Sequence, residues 1–318
     1  MIKIINPGWL SIIVNGGRYG YGAVGVPPSS ALDRYAYCIL NRLLGHDKDA
    51  PAIEVIGGNF TLTVGADVTC AITGARVKAF LNNQPLSSWA AFPMMKGSIL
   101  EIQDVGEGFR YYVGFSGGMN LERIINSYST NLECGFGGFK GRPLQKGDRI
   151  DLKNPNMVKP SEIPEKHIPS MKPPHRLRIV EGPEISYFSD DSVGAFAGET
   201  VFTVSGRLNR TGIRLEGEPL AFKAEADMSI ISEGILPGTV QIPGDGVPII
   251  MLHERTIGGY ARIAVVAKAD QDLLAHLKPG DHVQFERIGM EKAESLWKSK
   301  QETITFLKQT GGRYEKIV

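Results

Sequence analysis

AIEVIGGNFTLTVGADVTCAIT (residues 52–73) holds three short apolar segments separated by turn residues. The segments AIEVI, FTLTV and VTCAIT are rich in Val, Ile and Thr, whose branched side chains favour extended backbone. The intervening GGN and GAD supply glycine, asparagine and aspartate, which turns prefer. Apolar segments this short and this closely spaced predict antiparallel strands rather than helices.

The same pattern extends over most of the 318 residues. Further apolar segments occur in both halves of the chain, and they do not alternate with long helices, which argues against a doubly wound fold. We therefore predict a mainly β chain with a few helices (β-rich α+β), built from antiparallel barrels or sandwiches. The further segments include VKAFL, SILEI and FRYYVGF in the first half, and RLRIVEG, TVFTVSG, TVQIP, PIIML, ARIAVVA and HVQFERI in the second.

A proline-rich segment predicts where the chain divides. NPNMVKPSEIPEKHIPSMKPPH, residues 154–175, has six prolines in 22 residues. Because proline fixes φ and lacks an N–H donor, this segment is unsuited to the interior of a sheet or a helix. We predict a linker at 155–175 between an N-terminal β-rich domain (1–154) and a C-terminal barrel domain (176–289).

Two helices are predicted outside this linker. Apolar residues recur at helical spacing after Ser30, so a helix is expected over 31–44, with Ser30 and Asp33 forming a capping box at its start. After Gly289 a second amphipathic pattern predicts a C-terminal helix and tail over 290–318.

Composition and motifs exclude several classes of function. Lys and Arg total 35 against 34 Asp and Glu, so the chain has no net cationic field for nucleic acid. It shows neither a bilayer-length apolar run nor a signal-peptide pattern, so a cytoplasmic location and no membrane partner are expected. P-loop, HExxH and GxSxG motifs are absent, and Cys and His do not occur at metal-ligand spacing, so no metal site is predicted.

The glycine-rich stretch GFGGFKGR, residues 135–142, is a candidate anion site. Successive backbone N–H groups around Gly137 and Gly138, next to the Arg142 guanidinium, are suited to a carboxylate, a carbonate or a phosphate. The alternative is a mobile turn with solvated charges, since glycine-rich loops are common in β proteins.

A second candidate is RLNRTGIRLEG, residues 207–217, which contains Arg207, Arg210 and Arg214. The planar guanidinium group suits bidentate recognition of a carboxylate or phosphate. The alternative is a network of these arginines with Glu216 and Glu218 on a strand surface.

The third candidate is HERTIGGY, residues 253–260, which places an imidazole, a carboxylate and a guanidinium side by side. His253 is the one histidine that follows an apolar strand and has other functional groups beside it. The cluster is either catalytic or the end of a strand that meets a turn.

Five blocks of the sequence together resemble the allophanate hydrolase subunit 2, or KipA, family. This family includes the C subunit of bacterial 5-oxoprolinase and the corresponding part of the carboxyltransferase domain of urea carboxylase. The resemblance implies two β-barrel-like, cyclophilin-like domains, with the C-terminal one at 176–289. The blocks are GVPPSSALD (25–33), GFGGFKGRPLQKGD (135–148), NRTGIRLEG (209–217), SEGILPGTVQIPGDGVPII (232–250) and TIGGYARIAVV (256–266).

The resemblance also implies an activity and partners. It implies a subunit of an amide- or urea-type enzyme complex that uses ATP to open 5-oxoproline, or carboxybiotin to carboxylate a nitrogen nucleophile, with no cofactor bound covalently to this chain. The implied partners are a KipI-like, allophanate hydrolase subunit 1 protein, possibly a LamB/YcsF-type subunit, and a small-molecule substrate. The alternative is a non-enzymatic regulator that binds and antagonises a KipI-like kinase inhibitor.

The matching blocks and the residue types give candidate roles. Glu54, Glu233 or His253 would exchange a proton, since a partly desolvated carboxyl or imidazole suits that work. Arginines would clamp an anion, glycine N–H groups would stabilise developing charge, and Gln241 and Tyr260 would hydrogen-bond neutral parts of the substrate. The candidate substrate-binding residues are Arg18, Gly137, Gly138, Arg142, Arg210, Arg214, Gln241, Arg255, Thr256, Gly258, Gly259 and Tyr260.

This chain departs from the family pattern at two places. Asn15 stands where the family usually has aspartate, and just before the last block His253 and Arg255 stand at positions that are commonly aspartate and glutamine. A base in place of an acid and a cation in place of an amide would change which substrate charge is tolerated. We therefore expect His253 and Arg255 to affect substrate specificity rather than shared chemistry.

Overall fold

Strands account for most of the regular structure in a computed structural model that describes residues 1–46 and 49–309. They form two sheets, one of ten strands and one of eight, which confirms the prediction of a mainly β chain. The chain divides into two units. Unit 1 comprises Met1–Arg18, Ser29–Met171 and the C-terminal segment from Thr303, and unit 2 comprises Tyr19–Pro28 and Lys172–Glu302.

Unit 1 contains the ten-stranded sheet. Its members follow the predicted apolar segments; in β4, for example, Phe60, Leu62 and Val64 are buried while the threonines between them are half-buried, the alternation expected of a strand with one face on the core. The strands are β1 (Ile2–Pro7), β2 (Leu10–Val14), β3 (Ala52–Ile56), β4 (Phe60–Val64), β5 (Val68–Leu81), β6 (Gln84–Leu86), β7 (Ala90–Met94), β8 (Ile99–Phe115), β9 (Arg149–Ile150) and β10 (Ser161–Glu162).

Two long strands organise this sheet. β5 and β8 pair antiparallel along most of their length, with bulges near Arg76. The first part of β8 also pairs with β4 and its last part with β3, so one strand joins two parts of the sheet. The side chains of β3, β4, β5 and β8 therefore meet in a common apolar core.

The first predicted helix is present as α1 (Arg34–Leu43), which begins three residues later than the predicted 31–44. Asp33 caps it by accepting a 2.8 Å hydrogen bond from the Ala36 N–H, so the cap is Asp33 and not Ser30. The later start has a tertiary cause, because the Leu32 N–H donates to the Glu54 carboxylate of β3 instead of lying in a helical turn.

Unit 2 contains a closed barrel. β11 pairs with both β17 and β18, which closes a ring of seven strands in the order β11-β18-β12-β13-β16-β15-β17 and confirms the predicted barrel architecture. β14 lies outside the ring and pairs with β17. The strands are β11 (His175–Glu181), β12 (Phe202–Leu208), β13 (Gly212–Glu216), β14 (Ser229–Gly234), β15 (Thr239–Ile242), β16 (Ile249–Met251), β17 (Ile257–Val266) and β18 (His282–Arg287).

Two further α-helices are α2 (Asp190–Phe196), capped by Ser189, and α3 (Met290–Gln309). α3 covers the predicted C-terminal helix up to residue 309, and the rest of the predicted 290–318 segment lies outside the described residues. Short 3-10 helices occur at Gly22–Val24, Glu165–His167, Ile185–Tyr187 and Gln271–His276. Within residues 1–46 and 49–309, no helix combines the length and the apolar character needed to cross a membrane.

The proline-rich segment does not lie apart from the two units. The division between them falls between Met171 and Lys172, inside the segment predicted as a linker. Before that point the chain packs on unit 1: Ile163 and Met171 are buried, and β10 adds two residues to the edge of the sheet beside β7. A short edge pairing is what a proline-rich segment can still provide, because an edge strand leaves part of its backbone unpaired.

Candidate functional site

A cleft on the barrel of unit 2 brings several of the candidate residues together. It has a volume of ≈ 360 Å³ and is bounded by the β12–β13 turn and by β13, β15, β16 and β17. Six predicted substrate-binding residues line it: Arg214, Gln241, Arg255, Gly258, Gly259 and Tyr260.

Strand alternation explains which side chains reach this cleft. In β13, Ile213 and Leu215 are fully buried, so Gly212 and Arg214 face the other side, where the cleft lies. Ile250 of β16 is likewise buried, while its neighbours Ile249 and Met251 line the cleft. The cleft therefore has an apolar wall next to its polar groups.

Arginine gives the cleft its charge. Arg207, Arg214 and Arg255 line it, and the described lining residues include neither aspartate nor glutamate. Arg214 forms an ion pair with Asp245, which is half-exposed outside the lining. The lining therefore presents a local excess of positive charge in a chain whose overall charge is close to balanced.

Gln241 supplies a buried amide to the cleft. Its side chain is only 3% exposed, and its Nε2 donates to the Tyr260 carbonyl over 3.4 Å. A Cβ atom at Gly258 would lie 2.3 Å from this Nε2, so a side chain there would displace the amide from its position. The Tyr260 side chain is 43% exposed at the edge of the cleft.

The structure separates the residues of the HERTIGGY cluster. His253 and Glu254 are buried at 7% and 4% exposure, whereas Arg255 is exposed in the cleft. Glu254 accepts a 3.0 Å hydrogen bond from the Nε of Arg210, which is itself 4% exposed. The arginine–glutamate network considered for residues 207–217 thus exists, but its acid is Glu254 rather than Glu216 or Glu218.

The remaining candidates of unit 2 lie outside the cleft lining. Thr256 is half-buried, and its carbonyl accepts a hydrogen bond from the Ile235 N–H. Glu233 is exposed on β14 and pairs with Arg262, whose guanidinium also binds Glu184. Hydrogen bonds from Arg262 hold the pKa of Glu184 below its usual value.

Glu54 belongs to unit 1 and is buried there at 2% exposure. Its Oε2 accepts hydrogen bonds from the Tyr112 hydroxyl at 2.9 Å and from the Leu32 N–H at 3.2 Å, and its Oε1 lies 3.9 Å from the Nε of Arg110. Burial, together with the Glu54 and Asp33 carboxyls, raises the pKa of Tyr112 well above its usual value. These contacts join the segment before α1 to β3 and β8.

Arg18 and the glycine-rich loop also belong to unit 1. The Arg18 guanidinium is buried, donates to the Ser129 carbonyl and lies 4.7 Å from the centre of the Phe136 ring. The Gly138 N–H donates to the Tyr128 carbonyl at 2.9 Å, and a Cβ at Gly138 would lie 1.9 Å from the Thr130 hydroxyl oxygen. The loop is thus packed against residues 128–130, and the N–H of Gly138 forms a hydrogen bond inside unit 1.

Gly137 is required for the same close packing. Its φ is +71°, and a Cβ there would lie 2.2 Å from the Ser129 carbonyl oxygen and 2.9 Å from the Arg18 Nη2. A side chain at this position would therefore separate the loop from Arg18. The prediction that Arg18, Gly137 and Gly138 bind an anion stays a prediction.

Arg142 lies in unit 1 and binds Asp148 through two parallel hydrogen bonds of 2.8 Å. These bonds hold the pKa of the Asp148 carboxyl below its usual value. A carboxyl with a lowered folded-state pKa contributes stability above its unfolded pKa of about 4, and that contribution is lost as the pH falls through the folded value.

We therefore expect Arg142→Gln to lower the free energy of unfolding by about 1 kcal/mol at pH 6–7, with the difference from wild type shrinking below about pH 4. Urea denaturation between pH 3 and pH 7 measures this. Arg149→Gln, at an exposed neighbouring residue, is the matched control. A difference that does not depend on pH would show that the Asp148 pair is not its cause.

No three His, Cys, Asp or Glu residues within the described ranges come together as a group that could hold a metal ion. The polar groups of the cleft are instead guanidinium, amide, hydroxyl and backbone groups. Such groups bind small polar molecules through hydrogen bonds and charge.

Comparison with known proteins identifies the family to which this chain belongs. A family model described as "Carboxyltransferase domain, subdomain A and B" matches residues 24–287. The chain belongs to the carboxyltransferase domain family. This match includes every residue that lines the cleft.

Two proteins and one solved structure illustrate what this carboxyltransferase domain resembles. It is 33% identical to the C subunit of 5-oxoprolinase from Escherichia coli over 98% of both chains. It is 31% identical to urea amidolyase of Saccharomyces cerevisiae, over 92% of this chain but 17% of that protein. The structure of Kluyveromyces lactis urea carboxylase superposes with a TM-score of 0.90 at 26% identity, over 98% of this chain and 29% of that one.

Sequence reasoning missed several residues of the carboxyltransferase domain's cleft. Arg207 is a candidate in the arginine-rich stretch together with Arg210 and Arg214, but it is not included among the predicted substrate-binding residues. The apolar wall gave no separate signal, because an apolar residue at a strand edge looks like any core residue in the sequence. The lining residues outside the predicted substrate-binding set are Arg207, Asn209, Thr211, Gly212, Ile249, Met251 and Ile257.

Proposed function

We propose that this chain is a subunit of an enzyme complex of the 5-oxoprolinase type, in which ATP-dependent hydrolysis opens 5-oxoproline to glutamate. The observation that favours this reaction is the 33% identity to the C subunit of 5-oxoprolinase, which extends over 98% of both chains. In this reaction water is added across the lactam C–N bond, so the ring carbonyl becomes a carboxylate and the ring nitrogen becomes the amine.

The unit 2 cleft is the proposed substrate site. Gln241 would hydrogen-bond the lactam through an amide that can both donate and accept. Ile249 and Met251 would contact the ring methylenes. Backbone groups at Gly258 and Gly259 would stabilise charge that develops on the carbonyl oxygen. Glu54, Glu233 and His253 do not line the cleft. A role for any of them in proton exchange stays a prediction.

Carboxyl transfer is the second candidate function. The similarity to urea amidolyase and to the urea carboxylase structure favours it. In that reaction carboxybiotin, supplied by another part of the complex, would deliver CO2 to a nitrogen nucleophile such as urea, and this chain would hold that nucleophile. In either reaction the cofactor, ATP or carboxybiotin, is used by the complex and is not attached to this chain.

The proposed complex contains a KipI-like, allophanate hydrolase subunit 1 protein and possibly a LamB/YcsF-type subunit. The Escherichia coli relative is named as the C subunit of 5-oxoprolinase, which implies a multi-subunit enzyme and supports an assembly of this kind. The identity of the partners rests on the family resemblance.

The test is reconstitution of the complex. The chain is co-expressed with its subunit 1-like and LamB/YcsF-like neighbours, and the purified complex is assayed for ATP-dependent formation of glutamate from 5-oxoproline and for biotin-dependent carboxylation of urea. We expect glutamate formation that disappears when this chain is omitted. Urea carboxylation without glutamate formation would favour the second function, and activity that is unchanged without this chain would exclude it from both reactions.

A further inference from the structure

Strand β14 lies outside the barrel ring of unit 2 and borders the cleft. It is hydrogen-bonded to β17, and the register pairs Ser229 with Tyr260 and Gly234 with Ile257. Tyr260 and Ile257 also line the cleft, so β14 runs beside one wall of the proposed substrate site. Five of the six residues of β14 are exposed, and this strand therefore contributes little to the core of the barrel.

A bulge in β14 carries Ile231 away from the barrel. Ser229 and Glu233 are four positions apart in β14, whereas their partners Tyr260 and Gly258 are two positions apart in β17. The extra residues bend the strand outward, and the Ile231 side chain is 89% exposed. Because the hydrophobic effect stabilises a fold only through apolar surface that leaves water, packing within unit 2 does not explain an isoleucine at this position.

More large apolar side chains are exposed around this bulge. Met228 immediately precedes β14, Leu236 follows it by two positions, and Ile257 pairs with its last residue. Single exposed apolar residues are normal on a soluble protein, but a group of neighbouring ones marks an interaction surface. Met228, Ile231, Leu236 and Ile257 are named here the β14 apolar surface.

The segment that carries this surface is held on the barrel. Arg262 of β17 binds the Glu233 carboxylate at 2.8 Å and donates to the Gly234 carbonyl at 3.5 Å. The next residue, Ile235, is buried, and its N–H donates to the Thr256 carbonyl at 3.0 Å. A partner would therefore meet apolar side chains on a backbone that is already ordered, which lowers the entropy cost of binding.

The charge near β14 indicates which kind of partner fits. Residues 224–254 contain five acids and neither lysine nor arginine, and Glu225 and Asp227 are exposed beside the β14 apolar surface. A two-fold contact between copies of this chain brings the same residues of both copies together, so like charges would meet. An apolar pocket with Lys or Arg on its rim is complementary in both respects.

We infer that the β14 apolar surface docks the subunit 1-like partner, with Ile231 inserted into an apolar pocket of that partner and basic residues of the pocket rim facing Glu225 and Asp227. The inference rests on the proposed function, which supplies the partner, and it adds the surface through which that partner binds. Because Ile257 belongs both to this surface and to the cleft lining, the docked partner would cover one side of the cleft.

The experiment measures the Kd between the purified subunit 1-like protein and this full chain, by biolayer interferometry at several salt concentrations. We expect Ile231→Asp to raise the Kd by at least about 10-fold, because it places a charge in the centre of an apolar contact. We expect Glu225→Lys combined with Asp227→Lys to raise the Kd by about 10-fold at low salt, mainly through slower association. That difference from wild type should shrink as the salt concentration rises.

Val201→Asp is the matched control, because Val201 is an exposed aliphatic residue of unit 2 outside the β14 apolar surface. Its Kd should stay within about twofold of wild type. Urea denaturation should give Ile231→Asp the same free energy of unfolding as wild type, since the residue is exposed. At saturating partner, the Ile231→Asp complex should open 5-oxoproline with the wild-type kcat, which separates a loss of docking from a loss of chemistry.

An unchanged Kd in Ile231→Asp, or no association between the partner and the wild-type chain, would overturn the inference. Sedimentation of the chain alone tests the other occupant: a dimer that Ile231→Asp dissociates would assign the surface to a second copy and would exclude the partner from it. Failure of the proposed function has a different signature, since the complex would then assemble through Ile231 but form no glutamate.

Discussion

Replacing Glu54 by alanine is expected to lower the free energy of unfolding by about 3–5 kcal/mol. The Glu54 carboxylate is 2% exposed and lies beside Arg110, which is 1% exposed. Removal of the acid would leave a buried guanidinium without this compensating charge, and would take away the acceptor of the Tyr112 hydroxyl and the Leu32 N–H. The segment that leads into α1 should loosen as a result.

Urea denaturation measures the loss, and hydrogen exchange in β3, β8 and the start of α1 locates it. Glu54→Gln keeps the size of the side chain and one oxygen acceptor, so it should cost less than alanine. Glu122→Ala, at an exposed residue, is the control and should stay within about 0.5 kcal/mol of wild type. A Glu54→Ala protein of unchanged stability but without activity in the complex would instead assign Glu54 to the chemistry.

Local sequence signals were sufficient for much of the fold. Alternation in FTLTV correctly gives β4, because one face of that strand lies on the core, and the helical stripe after Ser30 gives α1. The start of α1 could not be predicted, since it depends on a hydrogen bond from Leu32 to Glu54, which lies 22 residues further along the chain. Closure of the barrel likewise depends on pairing between β11 and β17, which are distant in sequence.

The residues of the candidate site could likewise be predicted only in part from local sequence signals. Gln241 and Tyr260 could be named from the blocks that contain them, and Arg255 from the stretch HERTIGGY, but no local signal tells which face of a strand meets a cleft. Arg210 and Arg214 are four residues apart and chemically equivalent in the sequence. The structure buries one against Glu254 and leaves the other in the cleft, a difference that depends on contacts with residues 44 and 31 positions away.

Arg210→Ala is expected to destabilise unit 2 by about 3–5 kcal/mol, although Arg210 resembles its two neighbouring arginines in the sequence. Arg210 and Glu254 are 4% and 3% exposed as side chains and lie 3.0 Å apart. Loss of the arginine would leave the Glu254 carboxylate buried without this partner. The same reasoning predicts a comparable loss of stability for Glu254→Ala, which would leave the Arg210 guanidinium buried without this carboxylate.

Replacing both residues at once separates the effect of the pair from that of its surroundings. Arg210→Met combined with Glu254→Leu removes both charges, so neither is left buried without the other. Its free energy of unfolding, measured by urea denaturation, should be closer to that of wild type than the value of either alanine variant. Arg207→Ala, at an exposed arginine three residues earlier, should change the free energy of unfolding by less than about 0.5 kcal/mol. If Arg210→Ala instead kept full stability and raised KM for the substrate, Arg210 would belong with the binding residues and the buried pair would not explain its presence.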